Sequence, residues 1–233
     1  MAGFRMHITV SSLCGVAYGA AAYKVLGHPP ETAVLAAGIT AVGGMLPDLD
    51  SDSGRPIREM FSVAAAVVPL FLYNRLLTAG LTHEGILAAL VGLYILVRYG
   101  LAWVLKSVSV HRGMFHSIPA MLICGLIIFL EYQSPNISTR YTLALGVMIG
   151  FISHLVLDEI YSVDFNGLKV SLKSSAGSAL KFFSPSYVGT ITCYAILAAL
   201  VFLAYVEHKG GNPTSLADIK QNLPIKDWNF SKR

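Results

Sequence analysis

Tyr187 to Val206, YVGTITCYAILAALVFLAYV, runs for twenty positions without a charge. A helix needs roughly 20 mostly apolar residues to cross about 30 Å of hydrocarbon, so this stretch reads as a transmembrane helix. Six further apolar segments precede it, at about 8–26, 32–46, 60–77, 84–105, 117–131 and 141–159. The third and fourth are interrupted by Arg75 and Arg98. Together they predict an all-α, polytopic transmembrane bundle of about seven spans, one helical domain over residues 1–206. A polar C-terminal tail over 207–233 follows, opened by Gly210, Gly211, Asn212 and Pro213.

Composition supports this class. Of 233 residues, 55% are hydrophobic and 13% charged, and the mean hydropathy is +0.62. Soluble domains average about 25% charged residues, so a soluble enzyme, a disulfide scaffold and a disordered tail are all poor fits. Cys14, Cys124 and Cys193 lie within apolar runs and read as small hydrophobes. The net charge of +4 reflects membrane orientation, and no nucleic-acid partner is expected. Small residues crowd the first two spans (Gly15, Gly19, Ala22, Ala36, Gly43, Gly44), as close helix packing in lipid requires.

Polar groups inside or beside apolar spans are costly, so their positions carry the functional information. His7 opens span one. Asp48 and Asp50 follow span two. His111 and His116 lie between spans four and five, with Arg112 between them. His154 and Asp158 close span six. If all seven segments cross, these four clusters share one membrane face. Eight Lys and Arg residues fall on that side: Arg5, Arg55, Arg58, Lys106, Arg112, Lys169, Lys173 and Lys181. Lys24, Arg75 and Arg140 oppose them, with the basic tail. The positive-inside tendency then predicts a cytoplasmic site.

Imidazoles and carboxylates are metal ligands. His154 and Asp158, four apart, share a helix face and can grip one ion. The same spacing equally serves a histidine hydrogen-bonded to its own helix's carboxylate. His111 and His116 converge only if the chain around Gly113 brings His111 back over the start of span five. Asp48 and Asp50 flank Leu49 and present as a carboxylate pair. Three carboxylates and four neutral imidazoles call for more than one divalent cation. Mixed His/Asp ligation suits zinc, with manganese or iron as alternatives. The reading requires the polar atoms of Asp48, His116 and His154 to lie within roughly 3–5 Å of one another, given metal–ligand bonds of about 2.0–2.2 Å.

Three stretches carry a resemblance: Gly44-Met45-Leu46-Pro47-Asp48-Leu49-Asp50, His111-Arg112-Gly113-Met114-Phe115-His116-Ser117 and His154-Leu155-Val156-Leu157-Asp158. Preceded by His7, they resemble the YdjM-type family of bacterial inner-membrane proteins, classed as metal-dependent hydrolases and also labelled LexA-binding. The likeness covers roughly residues 5–205. The ligand order is also similar to zinc-dependent phospholipases C and single-strand-specific zinc nucleases, all-helical enzymes that cut phosphoesters. Those enzymes are soluble and use the mature N-terminal amine as a ligand, whereas here His7 stands six residues after Met1.

The resemblance implies His7, Asp48, His111, His116, His154 and Asp158 as ligands, with Asp50 beside them, holding one to three ions. The function it implies is a multi-pass inner-membrane hydrolase cleaving a phosphoester, with metal-bound hydroxide as the attacking group. The substrate class would be an anionic lipid or lipid-linked phosphate. Arg112, and more weakly Arg55, would stabilise charge on the phosphoryl oxygens. The alternatives are a transporter or proton/metal-ion pathway through the same cluster, and a non-catalytic membrane adaptor.

Overall fold

A computed structural model describes residues 3–50, 61–101 except 63, 67, 70, 71, 74 and 75, then 114–166, 169–172, 180–184, 186–210 and 222; for 49, 50, 101, 163–166 and 169–172 it describes the backbone alone. Helix α1 (Phe4–Lys24) leads to α2 (Pro30–Gly43), and Leu46–Asp50 follows as a short 3-10 turn. The described positions between 61 and 78 are helical. Helix α3 (His83–Ile95) runs on into a π-helical turn, Leu96–Leu101. Helices α4 (Ile118–Glu131), α5 (Ile137–Ile160) and α6 (Tyr187–His208) complete the set.

The helical reading therefore holds, with one addition. After α5 the chain makes an antiparallel hairpin, β1 (Val163–Asn166) on β2 (Lys169–Leu172), with Val163 opposite Leu172. The sequence there alternates apolar and polar residues with the two-residue period of a strand, a signal obscured by the Ser/Gly/Lys character of the surrounding stretch.

Among the described residues, two helices are long and apolar enough to cross a bilayer, Ile137–Ile160 and Tyr187–His208. Helix α4 is apolar but has 14 residues, which span about 21 Å at 1.5 Å per residue. Helix α2 also has 14 residues. The apolar segments recognised in the sequence thus correspond to helices, but length and composition qualify two of them as spans.

Helix α5 is the centre of the bundle, packing on α1, α2 and α4, while α1 packs along α2 and α6 lies on α4. Backbone proximity at the crossings depends on missing side chains. A Cβ at Gly15 would strike the Ala37 carbonyl oxygen, and one at Gly150 would strike the Thr40 carbonyl oxygen and lie 2.8 Å from the Gly44 nitrogen. Around these crossings Ala22, Ala36, Ile39, Leu143 and Val147 form one buried cluster, and Met121, Phe151 and Leu155 form another.

The end of the bundle where α2 and α5 begin is tied by polar contacts. Arg140 is buried, donates to the Phe129 carbonyl through Nε (2.9 Å) and Nη2 (2.5 Å), and pairs with Glu207 at 2.6 Å. His28, also buried, meets Thr142 Oγ1 at 2.7 Å. Glu207 belongs to α6, which ends at His208 and is followed by Gly210 with φ of +81°, a left-handed conformation favoured by glycine.

Gly150→Ala should lower the stability of the purified protein by about 1–3 kcal/mol, as overpacking does, read as an earlier unfolding midpoint in detergent. Gly38, exposed on α2 with nothing within 4 Å of its would-be Cβ, is the control. Gly38→Ala should be neutral or stabilising by up to about 1 kcal/mol.

Candidate metal centre

Four chain segments deliver polar side chains to the opposite end of the bundle. The first turn of α1 carries His7. Past the end of α2, the turn beginning at Leu46 and buried Pro47 carries Asp48. Ser117 caps α4, accepting from the Ala120 nitrogen at 3.3 Å and donating to the Met114 carbonyl at 2.5 Å, which fixes His116 just ahead of the helix. The last turns of α5 carry His154 and Asp158 on one face, as their four-residue spacing dictates. His7, His116, His154 and Asp158 are buried, and Asp48 is half-buried.

The groups converge closely. His7 Nε2 lies 3.2 Å from Asp158 Oδ1. Asp158 Oδ2 faces His154 Nε2 at 3.7 Å and His116 Nε2 at 3.9 Å. Asp48 Oδ1 faces the same two nitrogens, at 3.6 Å from His154 and 3.8 Å from His116. The His7 and His154 rings stack with centroids 3.6 Å apart, and His116 meets His154 edge-on at 5.5 Å. Two overlapping ligand triads result, His7–His154–Asp158 and Asp48–His116–His154, each with ligand atoms within 4.8 Å of one another. The separation required between Asp48, His116 and His154 is met.

One hydrogen bond orients the set. His154 Nδ1 lies 2.7 Å from the Gly44 carbonyl oxygen, which can only accept, so Nδ1 carries the proton. The carbonyls at a helix C-terminus lack intrahelical partners, and His154 satisfies one just beyond the end of α2. A neutral ring protonated at Nδ1 holds a lone pair on Nε2, the atom aimed at both carboxylates. His154 Nε2 and His7 Nδ1 are buried without a hydrogen-bond partner.

A divalent cation fits this donor set. Two ligands on one tetrahedral ion, with bonds of about 2.0–2.2 Å, stand about 3.3–3.6 Å apart. The nitrogen–oxygen separations here, 3.2 to 3.9 Å, bracket that range. Asp158 turns Oδ1 toward His7 and Oδ2 toward His154 and His116, and a histidine oriented by a backbone carbonyl through its other nitrogen is the usual second contact of a metal-ligating imidazole.

Of the remaining sequence candidates, His111, Arg112, Arg55 and the side chain of Asp50 lie outside the described residues. Arg98 sits in the π-helical turn with its guanidinium carbon 5.6 Å from the centre of the Tyr99 ring. The orienting role of Gly44 escaped the sequence reading, as did the buried roles of Arg140 and His28. The Gly43-Gly44 pair was visible as packing surface, but a carbonyl acceptor leaves no mark in residue identity.

Helical architecture, two apolar helices of membrane-spanning length and a buried His/Asp centre define a helical membrane protein with a candidate metal site. Residues 6–210 match the family described as YdjM inner membrane protein, and the chain belongs to that family. No curated protein and no solved structure matches the chain.

Elemental analysis of protein purified in detergent should find at least one divalent ion per chain. His154→Ala and Asp158→Asn should each lose it while keeping the helical circular dichroism spectrum. Equal metal content in parent and variants would show that the cluster is not the binding site.

Proposed function

We propose that the protein is a multi-pass membrane hydrolase that uses one or more divalent ions, zinc foremost, to cleave a phosphoester of a lipid or lipid-linked substrate. The observation that carries this reading is the gathering of His7, Asp48, His116, His154 and Asp158, from four separate segments, into one buried cluster at the end of the helices. A cluster at that level meets headgroups rather than acyl chains, and family membership puts the chain in the inner membrane. The excess of Lys and Arg on the same side supports a cytoplasmic orientation.

A divalent ion held there would bring the pKa of a coordinated water toward neutrality and offset the charge of a phosphoryl oxygen. The chain's own groups divide the remaining work. His154, locked by Gly44, keeps its Nε2 lone pair directed at the ligand position. Asp158, buried, places one oxygen toward His7 and the other toward His154 and His116. Asp48, the most accessible of the five, lies where substrate would enter and can hold a proton during transfer. Arg112 and Arg55 are assigned to phosphate binding on sequence grounds.

An ion pathway through the same residues is the second reading, favoured by buried Ser11, Thr40 and Thr142 deeper in the bundle. It is the weaker one, because the Ser11 and Thr40 hydroxyls already donate to backbone carbonyls, Ala41 at 3.1 Å and Ala36 at 2.8 Å. A relay would need those donors.

Phospholipids and lipid-linked phosphates incubated with the metal-loaded protein should be hydrolysed, with activity abolished by chelator and restored by zinc. Asp48→Asn, which alters a candidate ligand, should lower kcat at least about 10–100-fold, the loss that disturbing even an outer contact of a ligand brings. Metal retention without hydrolysis of any ester, together with metal-dependent flux in liposomes, would establish transport instead.

A further inference from the structure

The buried stripe of α1 runs through His7, Ser11, Gly15, Gly19 and Ala22, at the spacing that turns one helix face toward a neighbour. Gly15 and Gly19 meet α2 through backbone: a Cβ on either would strike the carbonyl oxygen of Ala37 or of Ala33. Such contacts bring two helices close but do not fix how far one is displaced along the other. Ser11 meets α2 directionally. Its buried hydroxyl lies 3.1 Å from the Ala41 carbonyl of α2 and 3.2 Å from the Ile8 carbonyl of its own helix. The Ile8 carbonyl is inside α1, where the main-chain N–H four residues on serves it. The Ala41 carbonyl is in the last turn of α2, where carbonyls lack intrahelical partners. There the Gly44 and Met45 nitrogens go to Thr40 and Val42, so the hydroxyl proton is needed on Ala41.

The end of α2 is thus capped by two other helices, Ser11 of α1 on Ala41 and His154 of α5 on Gly44. The two caps bear on adjacent rings. His7, one turn before Ser11 on the same face, stacks on His154 at 3.6 Å, and its Nε2 stands 3.2 Å from Asp158. The two imidazoles are held differently. His154 has a carbonyl against its Nδ1, whereas His7 Nδ1 is buried without a hydrogen-bond partner among the described residues. The place of His7 therefore follows the place of its helix. Tyr18 also fastens α1, to the Thr142 carbonyl of α5 at 2.8 Å, but two turns farther from the cluster than Ser11.

We propose that Ser11 is a positioning residue of the metal centre. By capping Ala41 it fixes the height of α1 on α2 and so holds His7 where it can share an ion with His154 and Asp158. A centre without this bond keeps its other four side chains and loses the His7 nitrogen. The inference rests on the metal-binding part of the proposed function and is tested by metal affinity, which needs no substrate.

The probe is zinc alone, titrated into metal-free full-length protein in detergent against a chromophoric chelator. Ser11→Ala should weaken zinc binding about 10–100-fold, the loss that removing a contact behind a ligand brings. Thr40→Val is the control, because it removes an equally buried hydroxyl whose bond, to Ala36 at 2.8 Å, stays within α2. Its zinc affinity should match the parent's. The decisive comparison is made in the His7→Ala background. There Ser11→Ala should change the affinity by less than about twofold, since the ligand it positions is gone, whereas a general loosening of the fold would act equally in both backgrounds. With cobalt(II) in place of zinc, Ser11→Ala and His7→Ala should shift the visible absorption alike. If Ser11→Ala does not yield folded protein, Ser11→Cys, close in volume and a weak donor, is judged by the same criteria. An unaltered zinc affinity in the Ser11 variant, or an equal loss in the two backgrounds, would make Ser11 a packing residue and overturn this proposal with the metal centre intact. A parent that binds no zinc would overturn the metal reading and this inference with it.

Discussion

The bond between His154 Nδ1 and the Gly44 carbonyl joins the packing of this molecule to its chemistry. It exists only because α2 and α5 approach so closely that neither Gly44 nor Gly150 has room for a Cβ. At Gly44 the obstructing atoms belong to Ser11 of α1, so the third helix of the cluster is held by the same crowding. Loosening any of these contacts would free the carbonyl and let the imidazole turn, and both triads share that imidazole. The small residues of the first two helices are therefore more than packing surface. They fix the direction of a ligand lone pair.

Why evolution would tolerate such a cluster follows from the electrostatics. Two carboxylates in a mostly apolar surround are expensive unless paired or bound to a cation. A divalent ion held there would neutralise both carboxylates at once and accept the lone pairs.

Much of this was legible in the sequence, and for identifiable reasons. The convergence of His7, Asp48, His116, His154 and Asp158 followed from alternation alone: antiparallel helices put the start of the first, the end of the second and the end of the penultimate at one end. That argument survives whichever helices cross lipid, because the packing of α1, α2, α4 and α5 preserves the alternation. What composition could not resolve was length. Segment 32–46 reads as a run of apolar residues, but Pro47 and the 3-10 turn end the helix at Gly43, and hydropathy does not register that break. The hairpin of 163–172 was hidden because its four-residue strands give too short a period to stand out. Arg140 was counted as a loop charge because its partner, Glu207, lies 67 residues away in the sequence.

The two polar ends of the bundle show why burial of polar groups does not by itself mark a site. At one end, Arg140 is answered by the Phe129 carbonyl, by Glu207 and by the face of the Phe129 ring, and His28 is answered by Thr142. Arg140 and His28 each meet protein partners, and the cluster behaves as a fastening between α4, α5 and α6. At the other end, His7, Asp48, His116, His154 and Asp158 form two overlapping triads with ligand atoms within 4.8 Å of one another, and His154 is oriented by Gly44. That gathering of metal-ligand atom types, set against the charge-paired Arg140 and Glu207, is the physical reason to read one end as structure and the other as a candidate binding centre.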